Sequence, residues 1–125
     1  MARAKTHWVA AAAAMAASAI LSAPASADPE CRSAVSEACF TAHGYLLTTN
    51  GTPSFRIFTA NNRVLGIEGG ESPPLPDVVR KVLAPDMFSN RLDGDFKVCP
   101  RTPAREGTMQ MVCVSDASNL KLEAR

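Results

Sequence analysis

Four cysteines, at positions 31, 39, 99 and 113, all follow a leader that reads as an export signal, and together these constrain the fold most. The leader opens with Arg3 and Lys5, runs apolar from Trp8 to Leu21, and ends on Ala25-Ser26-Ala27 with no acidic residue before Asp28. That charged, apolar, small-residue order is what an export channel and a signal peptidase recognise. It predicts cleavage after Ala27 and a periplasmic or secreted protein. A retained membrane anchor is disfavoured, because Val9 to Leu21 falls well short of the roughly 20 residues a spanning helix needs. No membrane span is expected after cleavage. Residues 28–125 then form one small domain whose core is only modestly stabilising.

In an oxidising compartment, four cysteines most simply supply the missing stability as two disulfides. Zinc would need thiolates, and no Cys-x-x-Cys pair is present. Three pairings are possible. In a hairpin centred on Glu106, Cys99 and Cys113 stand directly opposite one another, and opposed residues bring their Cβ atoms to about 4.5–5.5 Å. Closing that loop contributes about 3 kcal/mol on a chain-entropy account. This favours Cys99–Cys113 with Cys31–Cys39, provided residues 31–39 are not continuous helix. Bridges between the N-terminal segment and the hairpin are the alternative.

Losing the leader removes two of the 13 basic residues and none of the 12 acidic ones, which leaves the domain slightly acidic. The expected partners therefore do not include nucleic acid, since its binders carry a basic footprint.

After a polar segment over 28–42, with one or two helical turns expected around Ala34 to Ala38, the pattern turns β-rich. Strands are predicted over His43 to Thr49, Pro53 to Ala60 and Val64 to Ile67, joined at Asn50-Gly51 and Asn61-Asn62. Residues Asp77 to Ala84 place Val78, Val79, Val82 and Leu83 on one helical stripe, with Pro76 before and Pro85 after. Two further strands are predicted over Phe96 to Pro100 and Met109 to Ser115. In these, Phe96, Val98, Val112 and Val114 face one way and the cysteines the other. Residues 121–125 read as a tail.

Three strands, a helix and two strands is the element order of an OB-fold, a five-stranded Greek-key barrel. The predicted fold is thus mainly β: a small disulfide-stapled OB-like barrel over residues 43–120, with one short helix between strands three and four. A disulfide-stapled β-sandwich is the competitor. Gly66 inside the third strand suits a coiled barrel strand.

His43-Gly44-Tyr45-Leu46-Leu47, Asn50 to Ile57, Val64 to Ile67, Gly94 to Pro100 and Met109 to Val114 together resemble a family of small exported proteobacterial proteins with an OB-fold-like domain. The resemblance covers roughly residues 39–120. It implies a periplasmic or secreted domain and brings no activity, so it assigns no catalytic or ligand residue.

Chemistry-bearing patterns are sparse. His43 is the only histidine after the leader, and no Gly-x-Ser-x-Gly elbow accompanies it. Asp93, Asp95 and Glu106 offer carboxylates, but Asp93-Gly94-Asp95 reads first as a polar turn. The same stretch lacks the remaining ligands of a calcium loop. Met109 and Met111 with His43 are a copper-type donor set, although two methionines beside a disulfide are the simpler reading. Glu68 and Glu71 around Gly69-Gly70 would repel a phosphate. No cofactor is expected.

OB barrels usually bind ligands across strands two and three. That surface would present Arg56, Phe58, Arg63 and Tyr45, an aromatic–arginine set suited to stacking on a sugar ring or gripping an acidic partner. The expectation is a non-enzymatic module that binds a small ligand, a glycan or an envelope protein. The alternative is a secreted inhibitor of a cell-wall hydrolase that inserts its Arg101 to Glu106 loop into a cleft.

Overall fold

The computed structural model describes residues 30–125; the predicted leader lies outside the described residues. Among the described residues five strands form, β1 (Phe40–Thr48), β2 (Phe55–Thr59), β3 (Val64–Ile67), β4 (Asn90–Pro100) and β5 (Gln110–Ala124), with one helix, α1 (Asp77–Arg80), between β3 and β4. They close into a barrel in the order β1-β2-β3-β5-β4. β1 pairs antiparallel with both β2 and β4, and the closing β3–β5 pair is parallel.

Period-two alternation puts one apolar face of every strand inside. Leu46, Ile57, Leu65, Ile67, Leu92, Phe96, Val98, Val112 and Val114 are all fully buried there. Burying such side chains contributes about 1.5–3 kcal/mol each before entropy is charged against it. The cysteines lie on the other face, outside this cluster, as the alternation predicts.

The barrel has two distinct ends. At one, the segment after β3 plugs the opening: Leu75, Val79 and Met87 are buried in the core, and Leu83 and Ala84 pack against it. The Met87 carbonyl accepts the Thr48 amide there. At the other end lie the starts of β1, β3 and β5, the end of β4, and both disulfides.

Several expectations need correction. The disulfides are Cys31–Cys113 and Cys39–Cys99, not Cys99–Cys113 and Cys31–Cys39. The predicted register was right, since Cys99 does face Cys113. However, Cys99 also stands at the end of β1, where the register that pairs Phe40 with Val98 continues to Cys39. The N-terminal segment then runs back over the hairpin, with the Ala34 amide on the Pro100 carbonyl, and delivers Cys31 to Cys113.

Residues 34–37 form bends rather than helix, because Ser33 Oγ binds the carbonyls of Val35 and Glu37 and competes for the backbone. Helix α1 is one turn, not two. The residue before Pro85 is disfavoured in helical geometry, and the chain leaves the helix to send Leu83 inward. Val82 ends 38% exposed rather than in the stripe.

Asp93-Gly94-Asp95 is not a turn but lies within β4, where Gly94 is pinned by its neighbours. A Cβ there would come within 2.6 Å of Leu120 Cδ2. Strand β5 runs to Ala124, so the expected tail pairs with β4 through Asn90↔Ala124. The first connection is a six-residue loop, closed by the Thr49 amide on the Ser54 carbonyl (2.8 Å) and containing a cis Thr52–Pro53 peptide.

Candidate binding surface

The four residues expected to share one surface divide among three places. Tyr45 and Phe58 stay together. They are register partners across β1 and β2, both outward, and their rings stack at 5.4 Å with 12° between planes. Offset stacking of this kind contributes about 0.5–1.5 kcal/mol beyond the area it covers. Gly44 makes the close strand approach possible: a side chain there would overlap the Phe58 carbonyl oxygen.

Arg56 turns away. Its Nε donates to the Pro53 carbonyl (3.0 Å), so it braces the β1–β2 loop and is not offered to a ligand beside Phe58. Arg63 sits at the disulfide end of the barrel, where its guanidinium lies 5.5 Å over the Phe40 ring and donates to Gln110 Oε1 at 2.6 Å.

The residue that joins the aromatic pair is Arg91, which sequence reasoning missed. Its guanidinium lies 4.9 Å over Tyr45, within the roughly 6 Å range of a cation–π contact. Its Nε binds Asp93 Oδ2 and its Nη2 binds Glu123 Oε2, both at 3.2 Å. A row thus crosses three strands: Phe58, Tyr45, Arg91. A signal existed in Arg91 standing two residues before Asp93, but only with β4 extended back to Asn90 do the three reach one face.

The charges in the row are mutually adjusted. Asp93 beside Arg91 raises the guanidinium's affinity for its proton, with Glu123 adding to it. Burial, and then Glu123, push the Asp93 carboxyl up. Lys121, followed by Asp93 and Arg91, holds Glu123 down.

His43 is exposed on β1, and its Nδ1 lies 2.5 Å from Asp95 Oδ1, whose other oxygen accepts from Asn119 Nδ2 at 2.7 Å. Asn119 and His43, in that order, lower the Asp95 carboxyl. The donor set considered for copper is not assembled. The Met109 and Met111 sulfurs lie against Gly66 on the outside of β3, together with Pro53, whereas His43 is engaged with β4. The sulfurs of Cys31, Cys99 and Cys113 lie within 4.8 Å of one another, but all four cysteines are bonded in disulfides.

The β4–β5 loop is held on several sides. Glu37 carboxylate oxygens accept the Ala104 amide (3.0 Å) and the Gln110 side-chain amide (2.9 Å). Thr102 Oγ1 accepts the Met111 amide, and Arg101 Nη1 donates to the Arg32 carbonyl at 2.8 Å. Beside this loop lies a cleft of about 650 Å³ bounded by Asn62, Arg63, Val64 and residues 104–110. Among the described residues, no helix is long and apolar enough to cross a membrane. In comparisons with known proteins, the chain matches no family model, no curated protein and no solved structure.

Proposed function

We propose that this chain is an exported, non-enzymatic binding module of the cell envelope, built on an OB-like barrel and presenting the Phe58–Tyr45–Arg91 row to a glycan. The observation that carries this reading is the row itself. Two stacked rings and a guanidinium cross the outside of three adjacent strands, held by the sheet rather than by a loop. Asp93 and Glu123 offset the positive charge of Arg91, so the surface favours an uncharged polar ligand over an anion. Sugars combine apolar C–H faces with hydroxyls, and such a surface answers both, with aromatic carbon for the first and bonded charged groups for the second.

The strand and helix order supports the OB-like assignment, because an OB barrel carries its helix between strands three and four. Two disulfides at one end support an oxidising location.

The test is thermal melting with and without soluble neutral oligosaccharides. A ligand at 100 times its dissociation constant stabilises by about 2.7 kcal/mol, a shift of several degrees in a domain this size. The shift should vanish in Tyr45→Ala, which keeps the barrel core. An unmoved wild type across the panel would refute the glycan reading.

A second reading rests on the braced β4–β5 loop. Its tip, residues 103–108, is exposed while its base is tied by Glu37, Thr102 and Arg101. A rigid projecting loop is the geometry of an inhibitor of a cell-wall hydrolase, and inhibition of such an enzyme by the purified protein would favour this reading over the first.

A further inference from the structure

We propose that the cleft between the start of β3 and the β4–β5 loop is a second binding site, separate from the aromatic row, for small polar molecules bearing a carboxylate. At about 650 Å³ it falls within the range of small-molecule sites. It is bounded by two arginines from different parts of the chain, Arg63 entering β3 and Arg105 on the loop.

Arg63 is pre-positioned. One ring face of Phe40 supports its guanidinium, and Gln110 Oε1 takes one of its N–H groups. Gln110 is only 3% exposed. Its own amide is fixed by Glu37 and the Thr102 carbonyl, which leaves its oxygen turned to the arginine. The remaining Arg63 donors have no protein partner among the described residues. A guanidinium held in this way can meet the two oxygens of a carboxylate, and little side-chain entropy remains to be lost on binding.

Among the described residues, neither of the acidic side chains nearby is ion-paired with Arg63 or Arg105. The Glu37 carboxylate is occupied by the Ala104 amide and the Gln110 side chain. Glu106 and Arg105 are both on the exposed loop tip, where solvent screens their charges alike. Arg105 adds a second positive charge without an ion-pair partner among the described residues. The contrast with Arg91, which two carboxylates already satisfy, is why anions belong here and neutral ligands belong on the row.

The experiment is an amide and arginine-side-chain NMR titration of the oxidised protein with glucuronate and N-acetylglutamate. Glucose and N-acetylglutamine serve as uncharged counterparts. The two acids distinguish a sugar carboxylate from an amino-acid one. The proposal expects saturable shifts at Arg63 Nε, Gly107 and Thr108 with at least one acid. Each neutral counterpart should bind at least tenfold more weakly than its acid. Arg105→Gln should weaken binding about fivefold and Arg63→Gln at least tenfold, while Tyr45→Ala leaves it unchanged. Because Arg63 also packs over Phe40, Arg105→Gln carries the test if Arg63→Gln melts early. Equal response to acids and neutral counterparts, or no loss in Arg105→Gln, would overturn the site without touching the aromatic row.

Discussion

Cys99 and Cys113 face each other directly across β4 and β5, yet neither is bonded to the other. Each is joined instead to a cysteine of the N-terminal segment, which ties residues 31–39 across the end of the barrel. The segment that carries Glu37 is therefore held by both disulfides, and through Glu37 it holds the β4–β5 loop.

The pairing sets which serine substitutions act together. The bridges close sequence separations of 82 and 60 residues, and each loop closure stabilises by about 4–4.5 kcal/mol on the chain-entropy account. The double variant Cys31→Ser with Cys113→Ser loses one bridge, whereas Cys99→Ser with Cys113→Ser loses both. The second double variant should lower the melting temperature about twice as far as the first. Equal losses would contradict the connectivity.

The helix that plugs the barrel is anchored by Val79, which is fully buried, and not by Val82. Val79→Asp places an unpaired carboxylate in the core and should cost more than about 4 kcal/mol. Val82→Asp should stay within about 1 kcal/mol. Urea unfolding of the two variants measures both.

At Gly44 the β2 backbone leaves no room for a side chain on β1. Gly44→Ala forces the added methyl into the Phe58 backbone, so the strands must part and the Tyr45–Phe58 stack must open. The expected cost is about 2–3 kcal/mol, comparable to overpacking a core site. The near-ultraviolet circular dichroism of Tyr45 should fall in the same variant.

Asp95 couples the sheet to acidity. Its carboxyl in the folded protein lies below the usual value of 3.8, through Asn119 first and His43 second. A lowered folded-state value means the contribution is present above the unfolded value and disappears as pH falls through the folded one. Wild type should therefore melt higher than Asp95→Asn at pH 5, and the gap should shrink as pH falls below the usual carboxylate value. A gap that widened in acid would reverse the assignment.

Much of the architecture was legible in the residues. Alternation in β4 and β5 separated Phe96, Val98, Val112 and Val114 from the cysteines. The symmetry about Glu106 placed Cys99 opposite Cys113, and Pro76 marked where the helix begins, although the helix ends at Arg80, well short of Pro85. What local pattern does not carry is the partner on the other side of a strand. Cys99 has two neighbouring strands, and the β4–β5 hairpin alone does not reveal the β1 register that brings Cys39 to it.

The site was half legible for the same reason. Tyr45 and Phe58 belong to adjacent strands joined by a short loop, and their pairing follows from it. Arg91 comes from the far side of β1, in a stretch where Asp93-Gly94-Asp95 imitates a turn. Arg56 lies on β2 and Arg63 just before β3, but their long side chains reach Pro53 and Gln110 instead, and strand position does not set where a flexible arginine ends.

Tyrosine fluorescence reads the aromatic row most directly, because Tyr45 is the only tyrosine and Trp8 the only tryptophan. In the exported protein, which loses Trp8 with its leader, Tyr45 emission should change saturably on adding a neutral oligosaccharide such as the N-acetylglucosamine tetramer, and Phe58→Ala or Arg91→Ala should weaken that response at least tenfold. Emission that stays flat across neutral glycans, or a response that both substitutions leave intact, would contradict the account.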